Sequence, residues 1–367
     1  ACPITMRWDA RGRLWVSCST TYPHVYPGEE PRDKIVILED TDWDGKADKS
    51  TVWADDVHIP LSYELYKNGI IVSEEPHLSY IWDSDGDGIG NNTDSDDDND
   101  GVLDLFVSSY DWNRANLAGV VASHLGRPVK FDLARLYRGN GRGGFDEVGQ
   151  EQGLTRLTLP MGANFGDLDN DGYLDFYLGT GYPDYEALMP NAMYLNRGGT
   201  SFSDVTFAGG FGHLQKGHAV VFADLDNDGD QDVYVQMGGQ YPADRYIDAL
   251  FENPGFGHHW ITVKLVGQES NRSAIGARIQ LVVIEDGKER SIYRHVNSGG
   301  SFGCNPLRQN MGLGLAEKID RMEIYWPTTG QTEIFCDVTK DQTIEIVEGE
   351  NRFTRIHVKP FVLGSRE

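Results

Sequence analysis

The chain has 367 residues, enough for a main body with an accessory domain, and 39% of them are hydrophobic, with 8 Trp, 17 Tyr and 15 Phe to fill a core. Against 32 Lys and Arg stand 57 Asp and Glu, a formal net charge of -25, which argues against nucleic-acid phosphates or an anionic membrane surface as partners. No stretch approaches the roughly 18 apolar residues of a membrane-spanning helix, and a chain opening at Ala1 without a signal-peptide pattern is expected to be a mature soluble form, secreted or at a bacterial cell surface.

The excess acid is local. From the amino terminus onward one phrase recurs, D-x-D-x-D-G-x-x-D. It appears at Asp40, Asp42, Asp44 and Asp48, at Asp96, Asp98, Asp100 and Asp104, at Asp167, Asp169, Asp171 and Asp175, and at Asp224, Asp226, Asp228 and Asp232. A degenerate copy runs Asp83, Asp85, Asp87, Gly88, with Asn91 in place of the last carboxylate. Carboxylates at positions 1, 3 and 5 converge only if the chain wraps tightly, and the glycine at position 6 permits that turn. With a carbonyl from position 7 and the Asp at position 9, the donor set is all oxygen and suits Ca²⁺ better than Mg²⁺. Four to five calcium ions, one for each loop, are expected.

An EF-hand is excluded because position 12 holds Thr51, Val107, Leu178 or Val235 rather than Glu. The loops instead lead into short β-branched and aromatic runs, Val102 to Val107, Tyr173 to Leu178 and Asp232 to Val235, which read as strands. A 57-residue period relates Asp167 to Asp224 and also pairs Tyr137 with Tyr194, Phe145 with Phe202, Val148 with Val205 and Gly153 with Gly210. Asp40 and Asp96 are 56 apart, and the following interval of 71 leaves room for an insertion within Trp112 to Val129. Several strands per unit at this period mean propeller blades or a related β-array.

Phe165-Gly166-Asp167-Leu168-Asp169-Asn170-Asp171-Gly172 and Phe222-Ala223-Asp224-Leu225-Asp226-Asn227-Asp228-Gly229 resemble FG-GAP (VCBS-type) repeats, a resemblance that covers residues 130–255 and implies a β-propeller with calcium loops. Downstream, Asn253 to Trp260, Ser270 to Arg278, Gly299 to Phe302 and Ile324 to Pro327 resemble the ASPIC/UnbV domain, which follows such repeats in cartilage acidic protein and its bacterial relatives. The first 82 residues, notably Met6 to Val16, resemble the propeller region of membrane-bound dehydrogenases from planctomycete-type bacteria, and residues 83–104 read like a thrombospondin type 3 repeat. Trp43 departs from the pattern, which usually has a small residue at that place.

Read independently, the carboxy-terminal part is also β, with strands expected at His258 to Val266, Ala277 to Ile284, Arg290 to Val296, Arg321 to Trp326, Gln331 to Phe335 and Thr343 to Val347, and a tight hairpin at Asp286-Gly287. The expected architecture is all-β: a propeller-like repeat array over 1–255, a small sandwich or barrel over 256–350 and a tail over 351–367. The four cysteines have no zinc or haem spacing; of three connectivities the local one, Cys2 with Cys18 and Cys304 with Cys336, is expected.

No GxSxG, HExxH, GxGxxG or P-loop fingerprint occurs, Gly139 to Gly144 opens no βαβ unit, and His258-His259 is read as packing. No catalytic residue is assigned. The leading expectation is a secreted calcium-binding repeat protein with a structural, adhesion or binding role toward a protein or glycan. It would self-assemble into a layer or filament through an open β-edge, for which the tail Glu350 to Glu367 is the candidate strand. The alternative is a propeller oxidoreductase of the quinone- or sugar-dehydrogenase type, a reading supported by fold analogy.

Overall fold

Short runs of β-branched and aromatic residues between glycine- and aspartate-rich turns are too brief for helices, and strands dominate the chain throughout. The computed structural model describes residues 2–20, 33–42, 44–57, 60, 62–66, 69–74, 77–82, 98–108, 117–128, 133–142, 144–181, 189–238, 247–297 and 302–363. Five antiparallel sheets come first. The first is the meander β1 (Cys2–Trp8), β2 (Leu14–Ser19), β3 (Asp33–Glu39) and β4 (Lys49–Val57), and the second is β5 (Ser62–Tyr66), β6 (Gly69–Glu74) and β7 (His77–Trp82). In the third, β8 (Leu105–Val107) and β9 (Arg135–Gly139) are separated in sequence by helix α1 (Leu117–His124), which falls in the expected insertion, and β10 (Phe145–Glu147) completes the sheet.

The two central repeats form the fourth sheet, β11 (Pro160–Gly166), β12 (Asp175–Thr180), β13 (Ala192–Asn196) and β14 (Phe202–Asp204), and the fifth, β15 (Lys216–Ala223), β16 (Asp232–Gly238) and β17 (Ala249–Phe251). Their registers repeat with the sequence: Phe165 pairs with Phe176 and Gly166 with Asp175, as Phe222 pairs with Val233 and Ala223 with Asp232. Neighbouring sheets bury their faces on one another. Phe176 and Leu178 of β12 pack with Leu136 of the third sheet, while Tyr177, pointing the other way, packs with Val220 and Phe222 of the fifth. A strand covered on both faces carries no polar alternation, and every residue of β12 is buried. Trp15, Ile35 and Ile37 likewise join Tyr63, Leu65 and Val72 between the first two sheets. The array is all-β and propeller-like.

The carboxy-terminal part is a two-sheet sandwich. One sheet has the order β21 (Gln309–Gly314), β18 (His259–Val266), β24 (Gln342–Val347), β25 (Phe353–Ile356); the other has β20 (Lys288–His295), β19 (Arg278–Glu285), β22 (Lys318–Tyr325), β23 (Thr332–Phe335). Only the β18–β24 pair is parallel among these. Between the sheets lies an apolar core that includes Ile261, Val263, Leu281, Met322, Trp326 and Ile344. Asp286 and Gly287 both have positive φ, 49° and 69°, as the expected tight hairpin between β19 and β20 requires.

The disulfide expectation needs correction. Cys18, Cys304 and Cys336 are free thiols, so neither expected disulfide is present. Cys304 does not lie with Cys336: its neighbour Asn305 donates to the Phe165 carbonyl at 2.6 Å and accepts from the Phe222 amide at 2.9 Å, which holds that segment against the repeat array, whereas Cys336 follows β23 at the edge of the sandwich. The tail is occupied at home. β25 pairs with β24 of its own chain, and beyond it the Phe361 amide donates to the Asp226 carbonyl at 3.0 Å.

Candidate metal centres

The acidic phrases form loops between consecutive strands, joining β3 to β4, leading into β8, and joining β11 to β12 and β15 to β16. One hydrogen-bond scheme recurs in them. The carboxylate at position 1 accepts from the backbone a turn later: Asp40 from the Gly45 amide at 2.9 Å, Asp167 from Gly172 at 3.1 Å and Asp224 from Asp228 at 3.1 Å. The carboxylate at position 5 accepts from the residue two further on, at 2.8 Å for Asp44 and Lys46, 2.7 Å for Asp100 and Val102, 2.8 Å for Asp171 and Tyr173 and 2.9 Å for Asp228 and Asp230. Gly172 and Gly229 have φ of 98° and 101°, the left-handed turn that glycine makes without strain.

This wrapping brings carboxylates together. In three loops one oxygen from each of three side chains lies within 4.8 Å of the others: Asp40, Asp42 and Asp48; Asp167, Asp169 and Asp175; Asp224, Asp226 and Asp228. The remaining expected ligands divide differently. Asp44, Asp171 and Asp232 lie in their loops but outside these triads. Of the second loop Asp98, Asp100 and Asp104 are described, and Asp98 sits 2.8 Å from Arg138 Nε. Asp96 and the whole degenerate copy, Asp83, Asp85, Asp87 and Asn91, lie outside the described residues.

Position 9 has a second task. In loops two to four its Oδ1 accepts from an amide at or just past the end of a strand of the same sheet, Gly139 of β9 for Asp104 at 2.8 Å, Asn196 of β13 for Asp175 at 2.7 Å and Asn253, two residues after β17, for Asp232 at 2.8 Å. In the third and fourth loops its Oδ2 accepts from the Leu168 and Leu225 amides at 2.7 and 3.0 Å. This carboxylate therefore ties loops two, three and four to their sheets whatever else it binds, whereas Asp48 accepts from Thr41 of its own loop.

Burial separates the loops. Asp42 and Asp48 are exposed, whereas Asp167 and Asp175 are 0% and 1% exposed and Asp224 and Asp226 are buried. Burial raises the Asp167 carboxyl to about 7, opposed by Arg294 and reinforced by Asp171 and Asp169. It also raises Asp171 and Asp224 to about 6, each with help from acidic neighbours, and lifts Asp175 well above the ordinary carboxylate range. Two oxygens in these clusters, Asp167 Oδ1 and Asp226 Oδ1, are buried without a hydrogen-bond partner. A buried carboxylate oxygen left bare is costly unless a cation faces it.

Sequence reasoning missed the residues that join the loops to each other. Asn99 and Asn170, at position 4, adopt positive φ of 58° and 55°. Asn99 Nδ2 donates to the Gly172 carbonyl at 3.0 Å, and Asn170 Nδ2 donates to the Gly229 carbonyl at 3.1 Å and to Asp230 Oδ1 at 2.6 Å. Loop two thus grips loop three, and loop three grips loop four. The signal was in the text: Asn stands at position 4 in loops two, three and four, and Trp43 in loop one.

The sandwich also reaches the loops. Arg290 Nη1 donates to the Asp171 carbonyl at 2.9 Å, Arg308 Nη2 to the Asp224 carbonyl at 3.0 Å and Asn310 Nδ2 to the Gly229 carbonyl at 3.1 Å. His258 Nδ1 lies 2.6 Å from the Asp169 carbonyl oxygen, so that nitrogen carries the proton, and His259 pairs with Asp341 at 2.9 Å. The histidine pair is used for docking and pairing.

Comparison with known families agrees with this layout. FG-GAP-like repeat matches residues 96–178 and 179–235, and the ASPIC and UnbV domain matches residues 267–353. The first 104 residues match a domain of unknown function, DUF7133. No curated protein matches the chain. The chain therefore carries FG-GAP-like repeats followed by an ASPIC/UnbV domain.

Proposed function

We propose that this is a calcium-binding β-repeat protein of the cell exterior, in which the acidic loops hold calcium to fix the blades and the assembled surface binds a protein or glycan rather than catalysing a reaction. The observation that carries the calcium reading is Asp167 Oδ1, fully buried, without a hydrogen-bond partner, in a cluster with Asp169 and Asp175. An all-oxygen, polyanionic donor set fits a hard divalent cation, and in the third loop Asp167, Asp169 and Asp175, at positions 1, 3 and 9, with the carbonyl of position 7, would hold it. Calcium would supply positive charge where buried carboxylates repel one another. The external location is supported by the repeat type. A role in binding is supported by the two modules and by the lack of a catalytic fingerprint in the sequence.

The test is elemental analysis and calorimetry on protein dialysed to remove weakly held ions. Four to five Ca²⁺ per chain are expected, one for each copy of the acidic phrase. One ion or none refutes the reading.

A further inference from the structure

The third loop is not built by its own nine residues alone. Asp167 Oδ2 accepts three hydrogen bonds: from the Gly172 amide of the loop at 3.1 Å, from the Gly312 amide of β21 at 3.0 Å and from Arg294 Nη2 of β20 at 2.9 Å. The ion pair with Arg294 is buried on both sides, the side chains being 5% and 0% exposed. The guanidinium also lies 3.3 Å from the Gly172 carbonyl through both terminal nitrogens and donates to the Tyr293 carbonyl at 2.8 Å, so its plane is fixed. Two residues along β21, the Gly314 amide donates to the Asn170 carbonyl at 2.8 Å, while Met311 and Leu313 between and beside these glycines enter the sandwich core. Gly312 cannot carry a side chain, because a Cβ there would lie 2.3 to 2.5 Å from the Asn170 backbone. Two strands from the sandwich thus close over one side of the loop.

The carboxylate is divided between two partners. Oδ2 is saturated by donors from the loop and the sandwich, while Oδ1 is buried and bare. We propose that Arg294 and the Gly312 amide are positioning groups for a cation at the third loop, holding Oδ2 of Asp167 so that Oδ1 faces the ion, and that occupancy of this loop and seating of the carboxy-terminal sandwich are therefore coupled. This rests on the calcium reading of the loops. The first loop is the internal control: among the described residues no hydrogen bond from the sandwich reaches Asp40 to Asp48.

The coupling has a sign that separates it from simple electrostatics. A guanidinium near a divalent cation repels it, so if Arg294 were a bystander its removal would tighten calcium at the third loop. If it is a positioning residue, removal frees Asp167 to rotate and calcium weakens, much as loss of an outer-shell partner lowers metal affinity about 10- to 100-fold elsewhere.

The experiment is a calcium titration by calorimetry of the wild-type chain, Arg294→Gln and Arg294→Lys. In the glutamine variant one site is expected to weaken tenfold or more while the others stay unchanged, and lysine, which keeps the charge but loses the fork, is expected to restore affinity only in part. Unchanged or tighter binding in Arg294→Gln overturns the proposal, as does full recovery in Arg294→Lys. Should the glutamine variant fail to fold, hydrogen exchange on the wild-type chain decides: the Gly312 and Gly314 amides are expected to exchange at least tenfold more slowly with calcium than with chelator, and equal exchange overturns the coupling. A wild-type chain that takes up no calcium refutes the calcium reading itself, a different failure from calcium that binds without regard to Arg294.

Discussion

The metal-free protein should lose stability as the pH rises toward neutrality, the reverse of the usual behaviour of a paired carboxylate. Asp167 is pushed to about 7 in the folded chain, chiefly by burial, from an ordinary value of 3.8. Its folded pKa lies above the unfolded one, so the folded state binds the extra proton between those values, and the protonated carboxyl is lost as pH rises through 7. One pKa unit corresponds to about 1.4 kcal/mol, so full ionisation of Asp167 costs the folded state about 4 kcal/mol. Between about pH 5.5 and 7.5 the difference from this one group is about 2 kcal/mol. Asp171 and Asp224, each raised to about 6, act in the same direction. Urea unfolding in chelator at the two pH values should show the loss, saturating calcium should abolish it, and in chelator the loss should be smaller by about 2 kcal/mol in Asp167→Asn. A metal-free protein equally or more stable at the higher pH would refute the claim that ionised carboxylates are held there at a loss.

Asp175→Ala should destabilise the calcium-loaded chain by about 3 kcal/mol in urea unfolding, since it strips the acceptor from two buried amides, Leu168 and Asn196, whereas Asp48→Ala in the exposed first loop, compared in chelator so that no bound ion is lost, should change stability by less than about 1 kcal/mol. Phe176→Ala, which empties a fully buried site where Phe165, Tyr194 and Phe202 meet, should cost about 4 kcal/mol and lower the melting temperature with or without calcium. If the protein assembles on itself through its tail, the route is the outer edge of β25, whose inner edge is paired to β24. Light scattering of the calcium-loaded chain should then show mass above the monomer that a Thr354→Pro variant loses, and a monomer at every concentration dismisses assembly.

The loops and the strands after them were legible because both signals are local. Carboxylates spaced by two with a glycine at position 6 describe a wrapped turn without reference to anything distant, and runs such as Tyr173 to Leu178 show their strand character through aromatic and β-branched residues. In the sandwich the six expected strands were found for the same reason, and β21 was not. Its text, Gln309 to Gly314, holds two glycines and little β propensity, because its work is to approach the third loop closely rather than to fill a pleat. The disulfide expectation failed on a similar ground. Cys304 and Cys336 share a module in sequence, but the segment around Asn305 is drawn to the fourth and fifth sheets by hydrogen bonds that sequence spacing does not encode. The asparagines at position 4 were visible as a repeated letter whose purpose, gripping a loop 59 or 73 residues away, appears only once the sheets are set side by side.

One nine-residue phrase therefore does different physical work in different settings. In the first loop the carboxylates are solvated, Trp43 replaces the linking asparagine, and water can screen repulsion among Asp40, Asp42 and Asp48. In the third and fourth loops Asp167, Asp175, Asp224 and Asp226 are buried under a neighbouring loop and the sandwich, where repulsion is stronger, while Asp228 stays exposed. Burial there makes cohesion conditional: the contacts that lock sheet to sheet and sandwich to loop run through carbonyls and carboxylates whose geometry depends on how the buried charge is met. Arg294 meets part of it at one oxygen of Asp167. The bare oxygens of Asp167 and Asp226 mark what remains to be met, and a calcium ion at each is the species whose charge, hardness and coordination number suit the donors around them.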